Sequence, residues 1–72
     1  MDHQSSRFVR MREVQKKIGI SRSTVYDWIN PNSPRFDDSF PKPVRLGVNS
    51  VGWIDTELED WLAEKIAARA GY

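Results

Sequence analysis

The sequence predicts a small α+β domain, three helices with a two-stranded β-hairpin between the second and the third. Three observations carry the prediction. Two short stretches of helical apolar spacing meet at Gly19-Ile20-Ser21, two runs of β-forming residues flank Gly47-Val48-Asn49-Ser50, and Thr56 opens a longer helical pattern. At 72 residues the chain has room for one domain. We expect it over residues 10–70, behind a loose N-terminus over residues 1–9.

The first helix follows from Met11, Val14 and Ile18, which fall at i, i+3 and i+7 and predict a helix over roughly residues 12–18. Gly19 stops it, free to adopt positive φ, and Ile20 is placed to drop into the core. Ser21 is a natural N-cap for the second helix, whose inward face carries Val25, Trp28 and Ile29 and which Pro31 ends. All four prolines lie between Asn30 and Pro43, so that stretch reads as extended loop, part of it mobile. Residues 44–46 and 51–54 then form the hairpin, with Gly47 and Asn49 suited to positive φ in its turn. The third helix opens at Asp55 or Thr56, where Thr56 and Glu59 have capping-box spacing, and continues to about Arg69 or Ala70, with Gly71 just past its end. Leu58, Trp61, Leu62 and Ile66 make its apolar stripe.

Composition narrows the function. Charged residues make up 29% of the chain and hydrophobic ones 39%, with three Trp, three Phe and two Tyr, too apolar for a disordered tail. There is no Cys and one His, in a polar terminal stretch, which leaves no material for disulfides, a multi-ligand metal site or His-dependent nucleophilic catalysis. We therefore expect no enzyme, no metal and no cofactor. No apolar run approaches the roughly 18 residues of a membrane span and none resembles a signal peptide, so the expectation is a cytoplasmic protein without a membrane partner. The net charge of +1 hides a division. Residues 1–54 hold nine basic groups against five acids, whereas residues 55–72 hold two against five. That layout suits a protein presenting a basic face to a polyanion, although an ordinary solvated surface has the same look.

Helix, glycine turn, helix and hairpin together describe a helix-turn-helix with a wing, an arrangement also found in purely structural settings. The outward face of the second helix decides for double-stranded DNA. It shows Arg22, Ser23, Thr24, Tyr26, Asp27 and Asn30, groups that hydrogen-bond base edges and phosphates. Arg22, in the first turn, is the candidate for a bidentate bond to guanine O6 and N7. Ser23 and Thr24 are short enough for close approach, and Tyr26 can reach phosphate through its hydroxyl. Asp27 can accept from cytosine N4 or hold Arg22 or Lys16 in place, and we prefer the positioning role. Ser21 sits at a helix end that attracts phosphate, though a cap alone explains it.

Arg10, Arg12, Lys16 and Lys17 are placed either to cross the DNA backbone or to form a solvated face, with Arg12 and Lys16 the phosphate candidates. Lys42, held between two prolines, is a further phosphate candidate. In the wing, Arg45, Gly47, Asn49 and Ser50 are placed to touch phosphate or the minor groove, with no Lys or Arg at the tip. The three tryptophans lie on apolar faces or in a strand, so they read as core rather than as a stacking platform.

The chain resembles a known family. Glu13-Val14, Gly19-Ile20-Ser21-Arg22-Ser23-Thr24-Val25-Tyr26, Phe40-Pro41-Lys42-Pro43-Val44-Arg45-Leu46-Gly47, Val51-Gly52-Trp53, and Glu57 with Trp61 look like the AlpA family of small phage and prophage regulators. These are winged-helix proteins related to the MerR-type DNA-binding domain and to phage excisionases. The resemblance implies a transcriptional regulator of mobile-element genes, or an excisionase assisting an integrase, or both. It also implies a second helix in the major groove, carried here by Arg22, Ser23, Thr24 and Tyr26, and a wing carried by Arg45 and residues 47–50. Residues 31–39 lengthen the usual connection and add Asp37 and Asp38, and we expect that loop to sit away from DNA. The expected partners are DNA and either an integrase or RNA polymerase, with the protein a monomer that binds DNA cooperatively. The competing class is a protein-binding antirepressor module.

Overall fold

The computed structural model describes residues 7–69. In chain order it contains β1 (Phe8–Val9), α1 (Met11–Ile18), α2 (Arg22–Ile29), β2 (Val44–Arg45), β3 (Val51–Ile54) and α3 (Asp55–Ala68). This is a winged helix-turn-helix, with one strand more than the sequence suggests. β1 adds to the hairpin, giving an antiparallel sheet of order β1-β3-β2, with Phe8 opposite Ile54, Val9 opposite Trp53 and Val44 opposite Gly52. Residues 8 and 9 are therefore part of the domain and not of a loose N-terminus, because Val9 is buried and its backbone completes the β3 ladder. The rest of the expected loose stretch, residues 1–6, lies outside the described residues.

Each helix boundary has a local cause. Arg10 caps α1 without a side-chain bond. At the other end Gly19 takes φ +81°, the left-handed conformation that a side chain disfavours, and donates its N–H to Gln15 O at 2.7 Å. Ser21 caps α2 as its sequence predicts, accepting from Thr24 N–H at 3.2 Å. The capping box on α3 does not form. β3 runs straight into the helix, so the cap position falls on Ile54, and Asp55 N–H continues the strand ladder by donating to Arg7 O at 2.7 Å.

Two loop expectations are also corrected. Neither Gly47 nor Asn49 takes positive φ, since Gly19 alone does so among the described residues. The wing loop is long enough to close through Leu46 N–H to Ser50 O at 2.7 Å without a primed turn. Nor is the proline-rich segment extended. It is a succession of turns, in which Ser33 N–H donates to Asn30 O, Phe36 N–H to Ser33 O and Asp37 N–H to Trp28 O.

The core comprises Val9, Val14, Val25, Phe40, Trp53, Leu58 and Trp61, with Met11, Ile18, Ile20, Trp28, Ile29 and Leu62 packed against it. The core reading of the tryptophans holds, and Phe40 joins them. Trp28, Phe40 and Trp61 form an aromatic triangle with centroids 5.0–5.6 Å apart. Both buried indole nitrogens are satisfied from the loop, Trp53 by Pro41 O at 3.1 Å and Trp61 by Ser39 Oγ at 3.3 Å. Ile66 departs from its expected inward position and is half exposed, because no element covers the second half of α3.

Candidate nucleic-acid interface

Capping Ser21 fixes where α2 begins, and helical spacing then decides which side chains remain outside. With Val25 fully buried, Arg22, Ser23 and Tyr26 are exposed and Thr24 is partly covered. The Arg22 guanidinium carbon lies 5.9 Å from the centroid of the Tyr26 ring, a cation–π approach that holds both side chains over the same part of the helix. Ser23 Oγ and Thr24 Oγ1 stand 3.2 and 2.9 Å from Ser21 Oγ, so the three hydroxyls form one cluster at the helix start.

An open groove of about 490 Å³ lies between α1, α2 and the wing. Arg10, Arg12 and Gln15 line one side, Arg22, Tyr26 and Ile29 another, and Asn49, Val51 and Trp53 the third. Arg12 also borders a neighbouring hollow with Arg10, Glu13 and Lys16. Arg10 ties the assembly together, its guanidinium donating to Asn49 O at 3.5 Å and lying 5.9 Å from the Phe8 ring. Among the described residues Arg7, Lys17 and Arg35 meet carboxylates, whereas Arg10, Arg12, Lys16, Arg22 and Arg45 meet none. Among the described residues, then, no carboxylate is paired with the cations that line the groove, and Glu13 is the one acid bordering the hollow beside it.

Several sequence-predicted residues stand elsewhere. Asp27 holds neither Arg22 nor Lys16. It accepts from Ser33 Oγ at 3.3 Å and lies 3.8 Å from Arg35, so its carboxylate serves the loop after α2. Lys17 is not part of a cationic surface either. It bridges Glu59 and Asp55, the latter at 3.1 Å, and those bonds, led by the one to Glu59, raise its pKa above the ordinary 10.5. Lys42 borders a separate hollow with Asp38, Glu57, Asp60 and Glu64, against α3. On the wing, Arg45 donates to Val48 O at 3.4 Å, Asn49 lines the groove, and Ser50 N–H points to Gly47 O at 3.5 Å. Arg10 stands closer to the wing than its place before α1 suggests. The β-forming pair Phe8-Val9 just before it, by pairing with β3, sets its guanidinium beside the wing.

The comparison with known families decides the relationship. The model for the prophage CP4-57 regulatory protein, AlpA, matches residues 7–66. The chain belongs to the AlpA family. This AlpA-family chain is 51% identical over 59 residues to the DNA-binding transcriptional activator AlpA of Escherichia coli strain K12, covering 82% of this chain and 84% of that relative. It is also 38% identical over 68 residues to the uncharacterized protein ORF88 of Enterobacteria phage P4, covering 94% of this chain and 70% of the phage protein. No solved structure matches it. The family match begins at Arg7, in agreement with the structural role of β1.

No helix among the described residues is long and apolar enough to cross a membrane. Nor do three or more of their His, Asp or Glu side chains gather in a way that could hold a metal ion.

Proposed function

We propose that this chain binds double-stranded DNA sequence-specifically and regulates transcription of prophage or mobile-element genes, without catalysis, in the cytoplasm where that DNA lies. The observation that carries the reading is the groove in which Arg10, Arg12, Arg22, Tyr26 and Asn49 converge from α1, α2 and the wing. α2 lies in the major groove, Arg22 reads guanine in bidentate fashion, and Ser23 and Thr24 keep the helix close to the base edges. Tyr26, Arg12, Lys16 and the Ser21 end of α2 take phosphates. The wing follows the adjacent backbone or minor groove through Arg45, Gly47, Asn49 and Ser50. Asp27 and Lys42 are left out of this set, since their neighbours are the connecting loop and the acids beside α3.

A single module of this kind covers about 600 to 1,000 Å² of DNA contact, so a lone monomer binds modestly. Occupancy then rises by cooperative binding of neighbouring copies or through a second contact, with RNA polymerase for activation or with an integrase for excision. Fluorescence anisotropy of a labelled duplex across a salt series tests the proposal. Affinity that falls steeply with salt supports it, because phosphate contacts release counterions. No measurable affinity at low salt would leave the antirepressor reading, with a protein as the partner.

A further inference from the structure

Leu46 and Val48 are the two most exposed large hydrophobic side chains among the described residues, at 65% and 86%, and both stand on the wing loop. The loop that carries them is anchored. Leu46 N–H donates to Ser50 O, the Arg45 guanidinium turns back to Val48 O, and Arg10 donates to Asn49 O. Those bonds hold the loop in shape, with Leu46 and Val48 exposed on it beside Asn49. Leu46 and Val48 stand two residues apart on one anchored loop, so they expose apolar surface together rather than as a single scattered side chain.

The adjoining groove identifies what it meets. Asn49, next to Val48, shares a groove with Arg22 and Tyr26, so a duplex lying on α2 continues onto the wing. Beside a major-groove helix the wing faces the neighbouring minor groove, where apolar side chains act as wedges between base steps and kink the duplex. We propose that Val48, supported by Leu46, is an apolar wedge that enters the minor groove and bends the DNA. This rests on the DNA-binding reading above. It explains how a tip without Lys or Arg contributes to binding: by unstacking and apolar contact instead of by charge. Flexible pyrimidine–purine steps under the wing should be preferred, although no hydrogen bond there reads them.

The test uses duplexes of about 30 base pairs recovered from a random-sequence pool by repeated retention on the wild-type protein, with a fluorophore at each end to report bending. Val48→Ser should bind about tenfold more weakly and bend the duplex less, with an unchanged salt slope and unchanged thermal unfolding. Val48→Lys should recover affinity at low salt and steepen the salt slope by about one phosphate contact without recovering the bend. Wild-type complexes with straight DNA, or Val48→Ser complexes with wild-type affinity and bend, would overturn the wedge alone. Failure of the wild-type protein to retain any duplex would overturn the DNA-binding reading and the wedge with it.

Discussion

Gly52 is pressed against β1: a Cβ built on it would stand 2.6 Å from Phe8 Cζ and closer still to the carbonyl oxygen of Val9. The backbone of β3 therefore passes close under the first strand, and only a residue without a side chain fits. Gly52→Ala is expected to destabilise the fold by about 1 to 3 kcal/mol, as overpacking does, by forcing β1 away from β3. Urea unfolding followed by tryptophan emission measures it. A variant as stable as the parent would mean that β1 moves freely.

Lys16 borders the basic hollow beside α1 and pairs with no carboxylate among the described residues. Lys16→Ala should weaken specific and random duplexes by the same factor and flatten the salt dependence by about one phosphate contact. Loss confined to the specific duplex would instead give Lys16 a base-reading role.

Lys17 joins α1 to α3 through Glu59 and Asp55, and its pKa is raised above 10.5. A raised folded-state pKa adds stability that is fully present below 10.5 and lost as pH climbs through the raised value. Lys17→Gln should therefore be less stable than the parent at neutral pH, with the gap closing above pH 10.5. A gap that persists unchanged in strong alkali would remove the ion pairs as its cause.

Asp37 is the acid counterpart. Its carboxylate accepts from Ser39 Oγ at 2.6 Å and Ser39 N–H at 2.9 Å, and the hydroxyl bond foremost lowers its pKa below 3.8. A lowered folded-state pKa adds stability that is present above 3.8 and lost as pH falls through the lowered value. Ser39 Oγ also accepts from Trp61, so Trp61 emission should report the transition. Asp37→Ala should be less stable than the parent at neutral pH, with the gap closing below pH 3.8. Equal stability at neutral pH would show that the turn holds without the carboxylate.

The helices were legible because periodicity is a local signal. Val14, Val25, Leu58 and Trp61 each sit where their spacing puts them, and Ser21 and Gly19 punctuate the turn as their chemistry requires. What escaped depends on partners distant in sequence. β1 has two residues, too few to show alternation, and exists because β3 offers an open edge. Phe40 lies among prolines with no period around it, yet it completes the aromatic triangle with Trp28 and Trp61. Asp27 and Lys17 take partners that their own helices do not reveal, a loop residue for the first and α3 for the second. The exposure of Arg22, Ser23 and Tyr26 on α2 is legible because a cap and one buried valine settle the rotation of so short a helix.

The most direct measurement passes sheared genomic DNA over the purified protein at moderate salt and sequences what is retained, with Arg22→Ala run alongside. The parent should enrich discrete sites. Those beside promoters would match a transcriptional regulator, and repeats at the junction of an integrated element would match an excisionase. Arg22→Ala should lose about 1 to 3 kcal/mol at those sites and relax the preference at one base pair, while its weak binding to random DNA changes less. No enrichment by the parent over the variant would contradict a base-reading α2 and point to a protein partner for the same face.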